Sequence, residues 1–90
     1  MERISTMRKR IDEIDKRLLF CLKERVETCK EIGAVKNEHG IAIRDSRREN
    51  KVYANVMKTA SELKLDPQGV KNVYREIISL CTSVEANTQS

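Results

Sequence analysis

Two cations, Arg25 and Lys36, stand on the centre line of an apolar stripe, and this placement is where chemistry enters the sequence. The stripe recurs at helical spacing through Ile4, Met7, Ile11, Ile14, Leu18, Leu22, Cys29 and Ile32. At roughly 100° per residue, both cations point within about 20° of Leu18, on the side where a helix buries hydrocarbon. A charge placed there needs an opposite charge. Asp15 lies toward the edge of the stripe, and Glu24, Glu27 and Glu31 face away from it. The cations therefore either enter structural ion pairs or meet the anion of a ligand. Arg25 and Lys36 lie roughly 16 Å apart along one helix face. Two long side chains converging across that span can bracket a small dicarboxylate.

The elements that must position these residues follow from periodicity and turn chemistry. The helical pattern runs from Arg3 to Asn37 without a proline and predicts one long helix over 3–37. Asn37 to Ile43 breaks it, with His39-Gly40 as the turn. A second helix is expected over 45–64, where Asp45 and Ser46 are both good N-caps and Ser46-x-x-Glu49 has capping-box spacing. Asp66-Pro67 then starts a third helix over 66–86, with Val70, Val73, Tyr74, Ile77, Cys81 and Val84 on one face. The tail after Glu85 is expected to fray. The fold class is all-α, three helices in one domain spanning 1–90.

Size sets a further condition. A helix over 3–37 is roughly 50 Å long, whereas a compact globule of 90 residues has a radius of gyration near 12 Å. Two shorter helices cannot cover it, so the stripe is expected to pair with a second copy of the chain.

Composition narrows the classes. Hydrophobic residues make up 39% and aromatics 3%, which leaves a thin core of Leu, Ile, Val and Met. The net charge is +4, but acids and bases are interspersed, and no aromatics alternate with the basic clusters Met7–Arg10 and Arg44–Arg48 to stack bases. Nucleic-acid binding is therefore not expected. The three cysteines lack C-x-x-C spacing, the N-terminal stretch is too charged for a signal peptide, and no apolar run is long enough for a membrane span. A soluble, cytoplasmic protein with reduced thiols is expected.

With the elements placed, the chain resembles the all-helical chorismate mutases along nearly its whole length. The likeness is carried by Met7-Arg8-x-x-Ile11-x-x-Ile14-Asp15-x-x-Leu18-Leu19, then Glu24-Arg25 and Lys36, and by Arg44-Asp45-x-x-Arg48-Glu49 at the start of the second helix. The resemblance implies an intertwined homodimer that rearranges chorismate to prephenate, toward phenylalanine and tyrosine, without cofactor or metal. This pericyclic step needs no nucleophile. It needs a flexible dianion held in a near-attack shape and fixed donors where charge grows on the breaking ether C–O bond.

The resemblance also implies roles. Arg25 clamps one carboxylate through its planar fork, and Lys36 contacts the other carboxylate and the ether oxygen. Arg8, on the flank of the stripe, reaches into the partner subunit's site. Arg48 adds to a cationic wall, Glu49 accepts a hydrogen bond from the ring hydroxyl, and Asp45 supports that end of the site. Arg44 and Arg47 are expected to be solvated or to serve lid closure.

Cys81 stands where relatives often carry serine, so a weak thiol donor replaces a hydroxyl. Glu85 stands where glutamine or glutamate faces the ether oxygen. An ionised carboxylate would oppose the growing negative charge, so Glu85 is expected to help only when protonated, with turnover declining as pH rises.

Two other readings remain open at this level. Isochorismate-pyruvate lyases use a similar pocket on the same fold. A basic helical dimer could instead bind nucleic acid or a protein through Arg44–Arg48, with steep salt dependence.

Overall fold

The computed structural model describes residues 1–87 and contains three helices: α1 (Glu2–Glu38), α2 (Ser46–Glu62) and α3 (Pro67–Asn87). The expected tail from Ala86 is helical through Asn87, and its last three residues lie outside the described part.

Each boundary has a local cause. α1 ends at His39, after which Gly40 takes a φ of +63°. The Ile41 amide donates to the Lys36 carbonyl at 2.8 Å and the Gly40 amide to that of Asn37 at 3.4 Å, the paired bonds of a Schellman motif. α2 closes in the same way, with Leu65 donating to Ala60 at 2.8 Å and Lys64 to Ser61 at 3.1 Å. Here, however, the left-handed position is held by Lys64 at a φ of 61°. Of the two candidate caps for α2, the chain uses Asp45, whose Oδ1 accepts from the Arg48 amide at 3.0 Å. Ser46 is already helical, and Glu49 is turned to Arg44 instead of back to a capping box. α3 starts as its Asp-Pro signal dictates, with Asp66 Oδ2 accepting from the Gly69 amide at 3.1 Å.

Packing is layered. α3 lies in the middle, α1 against one side and α2 against the other, and among the described residues α1 and α2 do not pack on each other. The buried residues are small or slender: Cys29 and Gly33 on α1, Ala60 on α2, and Ile78, Cys81 and Glu85 on α3. Small residues at the α1–α3 crossing let the backbones approach. Because α3 holds the other two helices apart, a gap is left beside it, floored by α3 and walled by α1 and the start of α2.

The single chain is far from spherical. It measures 56 × 26 × 15 Å with a radius of gyration of 16.4 Å, against about 12 Å for a compact chain of this length. All of α1 as far as Cys21 is exposed, including Met7 at 54%, Ile11 at 54% and Leu18 at 61%. No helix among the described residues is long and apolar enough to cross a membrane.

The left-handed Lys64 makes a measurable prediction. A side chain with a Cβ is disfavoured there relative to glycine by about 1 kcal/mol, so Lys64→Gly is expected to raise the unfolding free energy in urea by about that amount. An unchanged or lower midpoint contradicts the assignment of strain to this residue.

Candidate active site

The gap beside α3 is a cavity of about 580 Å³. Arg25 and Lys36 enter it from α1, Asp45, Arg48 and Glu49 from the start of α2, and Cys81 and Glu85 from α3. Seven of the eight residues expected at the site thus share one cavity. The eighth, Arg8, lies on the exposed N-terminal half of α1, about 25 Å along the helix from Arg25, and does not line the cavity of its own chain.

The two stripe cations are held from other elements. The Lys36 ammonium donates to the Ile43 carbonyl at 2.7 Å and forms an ion pair with Glu85 Oε1 at 3.1 Å. Both side chains are largely withdrawn from water, 19% and 11% exposed, so this pair is less screened than a surface one. An ammonium has three donors, which leaves one beyond these two. Arg25 takes no carboxylate among the described residues. Its Nη1 donates to the Cys81 sulfur at 2.8 Å and lies 3.9 Å from that of Cys29, while Nε and Nη2 make no hydrogen bond among the described residues. That free edge of the guanidinium is the one that grips a carboxylate with two parallel bonds.

Three of the wall acids, Asp45, Glu49 and Glu85, have partners, not all of them inside the cavity. Asp45 caps α2 and sits on the positive end of that helix. Glu49 Oε2 accepts from Arg44 Nε at 3.3 Å, and Arg44 is otherwise mostly in water. Arg48 lines the cavity without an ion pair among the described residues. Of the Arg44–Arg48 cluster, Asp45 and Arg48 thus line this cavity, and Arg44 is joined to it through its pair with Glu49.

The balance of charge differs from a plainly cationic chamber. Within one chain the walls carry Arg25, Lys36 and Arg48 against Glu24, Asp45, Glu49 and Glu85. A dianion entering such a site gains from any further cation that arrives from outside the chain, and from any wall acid that gives up its charge.

Several contributors are not singled out by the sequence, among them Glu24, which is expected to face away from the stripe yet lines the cavity. The Ile43 carbonyl carries no side-chain signal. Thr82 lines the cavity between Cys81 and Glu85. Cys29 was read only as part of the apolar stripe, although its i+4 spacing from Arg25 places the two on one face. Burial first, and then the hydrogen bond with Cys81, push the Cys29 thiol from 9.0 up to about 11, against an opposing pull from Arg25.

The family model for chorismate mutase type II matches residues 7–86. A bifunctional chorismate mutase/prephenate dehydratase of Aquifex aeolicus is 33% identical over 88 residues, which cover 94% of this chain and 24% of that protein. A chorismate mutase of Methanocaldococcus jannaschii is 36% identical over 72 residues, 79% of this chain and 73% of the relative. A 4-amino-4-deoxychorismate mutase of Streptomyces pristinaespiralis is 29% identical over 76 residues, covering 84% and 59%. The chain therefore spans about a quarter of the bifunctional relative and nearly three quarters of the M. jannaschii one.

The raised thiol predicts an alkaline limb. Folding favours protonated Cys29, so its contribution to stability is intact below pH 9.0 and is lost as pH rises toward 11. Urea unfolding between these values is expected to weaken more steeply in the wild type than in Cys29→Ala. Parallel slopes would exclude the effect.

Proposed function

Because the chain belongs to the chorismate mutase type II family, we propose that it rearranges chorismate to prephenate in the cavity beside α3, as a cytoplasmic homodimer. The observation that carries this reading is the convergence of Arg25 and Lys36, from one helix face, on a cavity of about 580 Å³ that is also lined by Arg48, Glu49, Cys81 and Glu85. Its size suits a small ring compound bearing two carboxylates.

The free edge of Arg25 holds one carboxylate, and Arg48 adds charge on the α2 side. The remaining donor of Lys36 reaches the other carboxylate and the ether oxygen. Clamped at both ends, the enolpyruvyl group folds over the ring, and much of the entropic part of the barrier is met on binding. As the C–O bond breaks and the C–C bond forms, negative charge grows on the ether oxygen. Lys36 stabilises that charge, and Glu85 holds the Lys36 ammonium in position through their pair. Glu49 Oε1 accepts from the ring hydroxyl, while Oε2 stays with Arg44. Cys81 supports Arg25 as a hydrogen-bond acceptor rather than by donating to substrate. No step calls on a cofactor.

The long uncovered face of α1 pairs with that of a second subunit, and this pairing brings Arg8 into the partner's cavity. The formal deficit of positive charge within one chain supports this role, because a dianion needs a further cation and Arg8 is remote from its own site.

Two outcomes are expected. Arg25→Ala and Lys36→Ala each lose at least about a hundredfold in kcat/KM for chorismate, the scale of removing a key transition-state donor. Prephenate, with no release of pyruvate, identifies the reaction, whereas pyruvate from isochorismate would mark a lyase. Second, Arg8→Ala and Arg25→Ala chains, each nearly inactive, regain about a quarter of wild-type activity when unfolded and refolded together. Half of the dimers are then mixed, and each mixed dimer has one intact site. No recovery on mixing argues that Arg8 does not act across the dimer.

A further inference from the structure

Cys29 on α1 and Cys81 on α3 face each other at the floor of the cavity. Both are buried, both line it, and both sulfurs lie against the same nitrogen of Arg25, at 3.9 and 2.8 Å. Cys81 also contributes to the raised pKa of the Cys29 thiol. The third cysteine, Cys21, is exposed.

We propose that Cys29 and Cys81 form a modification site for hydroperoxides, Cys81 being the attacking sulfur and Cys29 the resolving one. The geometry assigns the order. A guanidinium 2.8 Å from Cys81 is placed to stabilise the negative charge of an attacking thiolate. Cys29 is held protonated by burial and waits as the second thiol. The cavity gives a molecule as small as hydrogen peroxide a route to both.

In the first step the Cys81 thiolate attacks one peroxide oxygen. An S–O bond forms, the O–O bond breaks, and the leaving hydroxide or alkoxide takes a proton to become water or alcohol. In the second, the Cys29 sulfur attacks the sulfenic sulfur of Cys81. The S–S bond forms, the S–O bond breaks, and hydroxide leaves as water with the Cys29 proton. Two thiols lose two electrons in all, and the peroxide gains them.

A disulfide needs Cα atoms within about 4.4–6.8 Å, and the small residues at the α1–α3 crossing, Cys29, Gly33 and Cys81, favour such an approach. The cross-link ties α1 to α3 across the cavity floor and alters both sulfur acceptors of Arg25, so catalysis stops until a reductant restores the thiols. That last consequence rests on the mutase reading. The cross-link does not.

The experiment uses the Cys21→Ser chain, treated with hydrogen peroxide and followed by intact mass and by chorismate consumption, each relative to the same chain untreated. A species lighter by about 2 Da is expected, with turnover falling at least tenfold in step and both reversed by dithiothreitol. Adding Cys29→Ser is expected to stop the reaction at a species heavier by about 16 Da that dimedone captures. Only heavier, oxygenated species in the Cys21→Ser chain would overturn the site, and a cross-linked chain with full turnover would overturn the switch. A chain that forms the cross-link yet never consumed chorismate refutes the proposed function and leaves the modification site standing.

Discussion

A charge on the hydrocarbon side of a helix has to be answered from another part of the chain, and most of this fold can be understood as the means of answering two of them. Lys36 is met by the Ile43 carbonyl from the connector and by Glu85 from α3. Arg25 is met by the sulfur of Cys81, also from α3. A full set of carboxylates would have neutralised both cations and left little for a guest to gain. Sulfur and carbonyl partners help to fix the side chains in place, and Arg25, which meets no carboxylate among the described residues, keeps its charge to act on whatever enters the cavity.

The cavity exists because the three helices do not form a closed bundle. α3 packs on both neighbours, and α1 and α2 remain apart, so polar groups from all three can line a shared space without filling it. The same open arrangement leaves the first half of α1 uncovered, with its apolar positions in water. With so few residues buried within one chain, much apolar surface stays exposed on that face. The uncovered surface is also the one that carries Arg8.

The legible part of this structure is the part governed by local rules. The stripe of α1 needs only a period of 3.6, and Gly40, Asp45, Asp66 and Pro67 punctuate the chain through backbone chemistry within a few residues. The charged pattern through Arg25, Lys36, Arg48 and Glu49 was sufficient to reach the family. What could not be read depends on which atoms meet across the fold. Lys36 and Glu85 are 49 positions apart, and nothing near either names the other. The choice of Asp45 over Ser46 as cap turned on Glu49, which faces Arg44 rather than a capping box. Cys29 looked like one more apolar position until α3 brought Cys81 against it. The acids on the cavity walls are hidden for the same reason, since they come from three separate stretches of chain.

The short connector after α1 couples two roles that are usually separate. Its Ile41 amide seals the helix end through the Lys36 carbonyl, and its Ile43 carbonyl holds the ammonium of that same lysine. Backbone groups, not side chains, do both, so the identity of most residues between Asn37 and Asp45 is of little consequence while their number is critical. Adding or deleting a single residue there would shift the Ile43 carbonyl relative to Lys36 and unseat the lysine, so the length of this segment is itself part of the site.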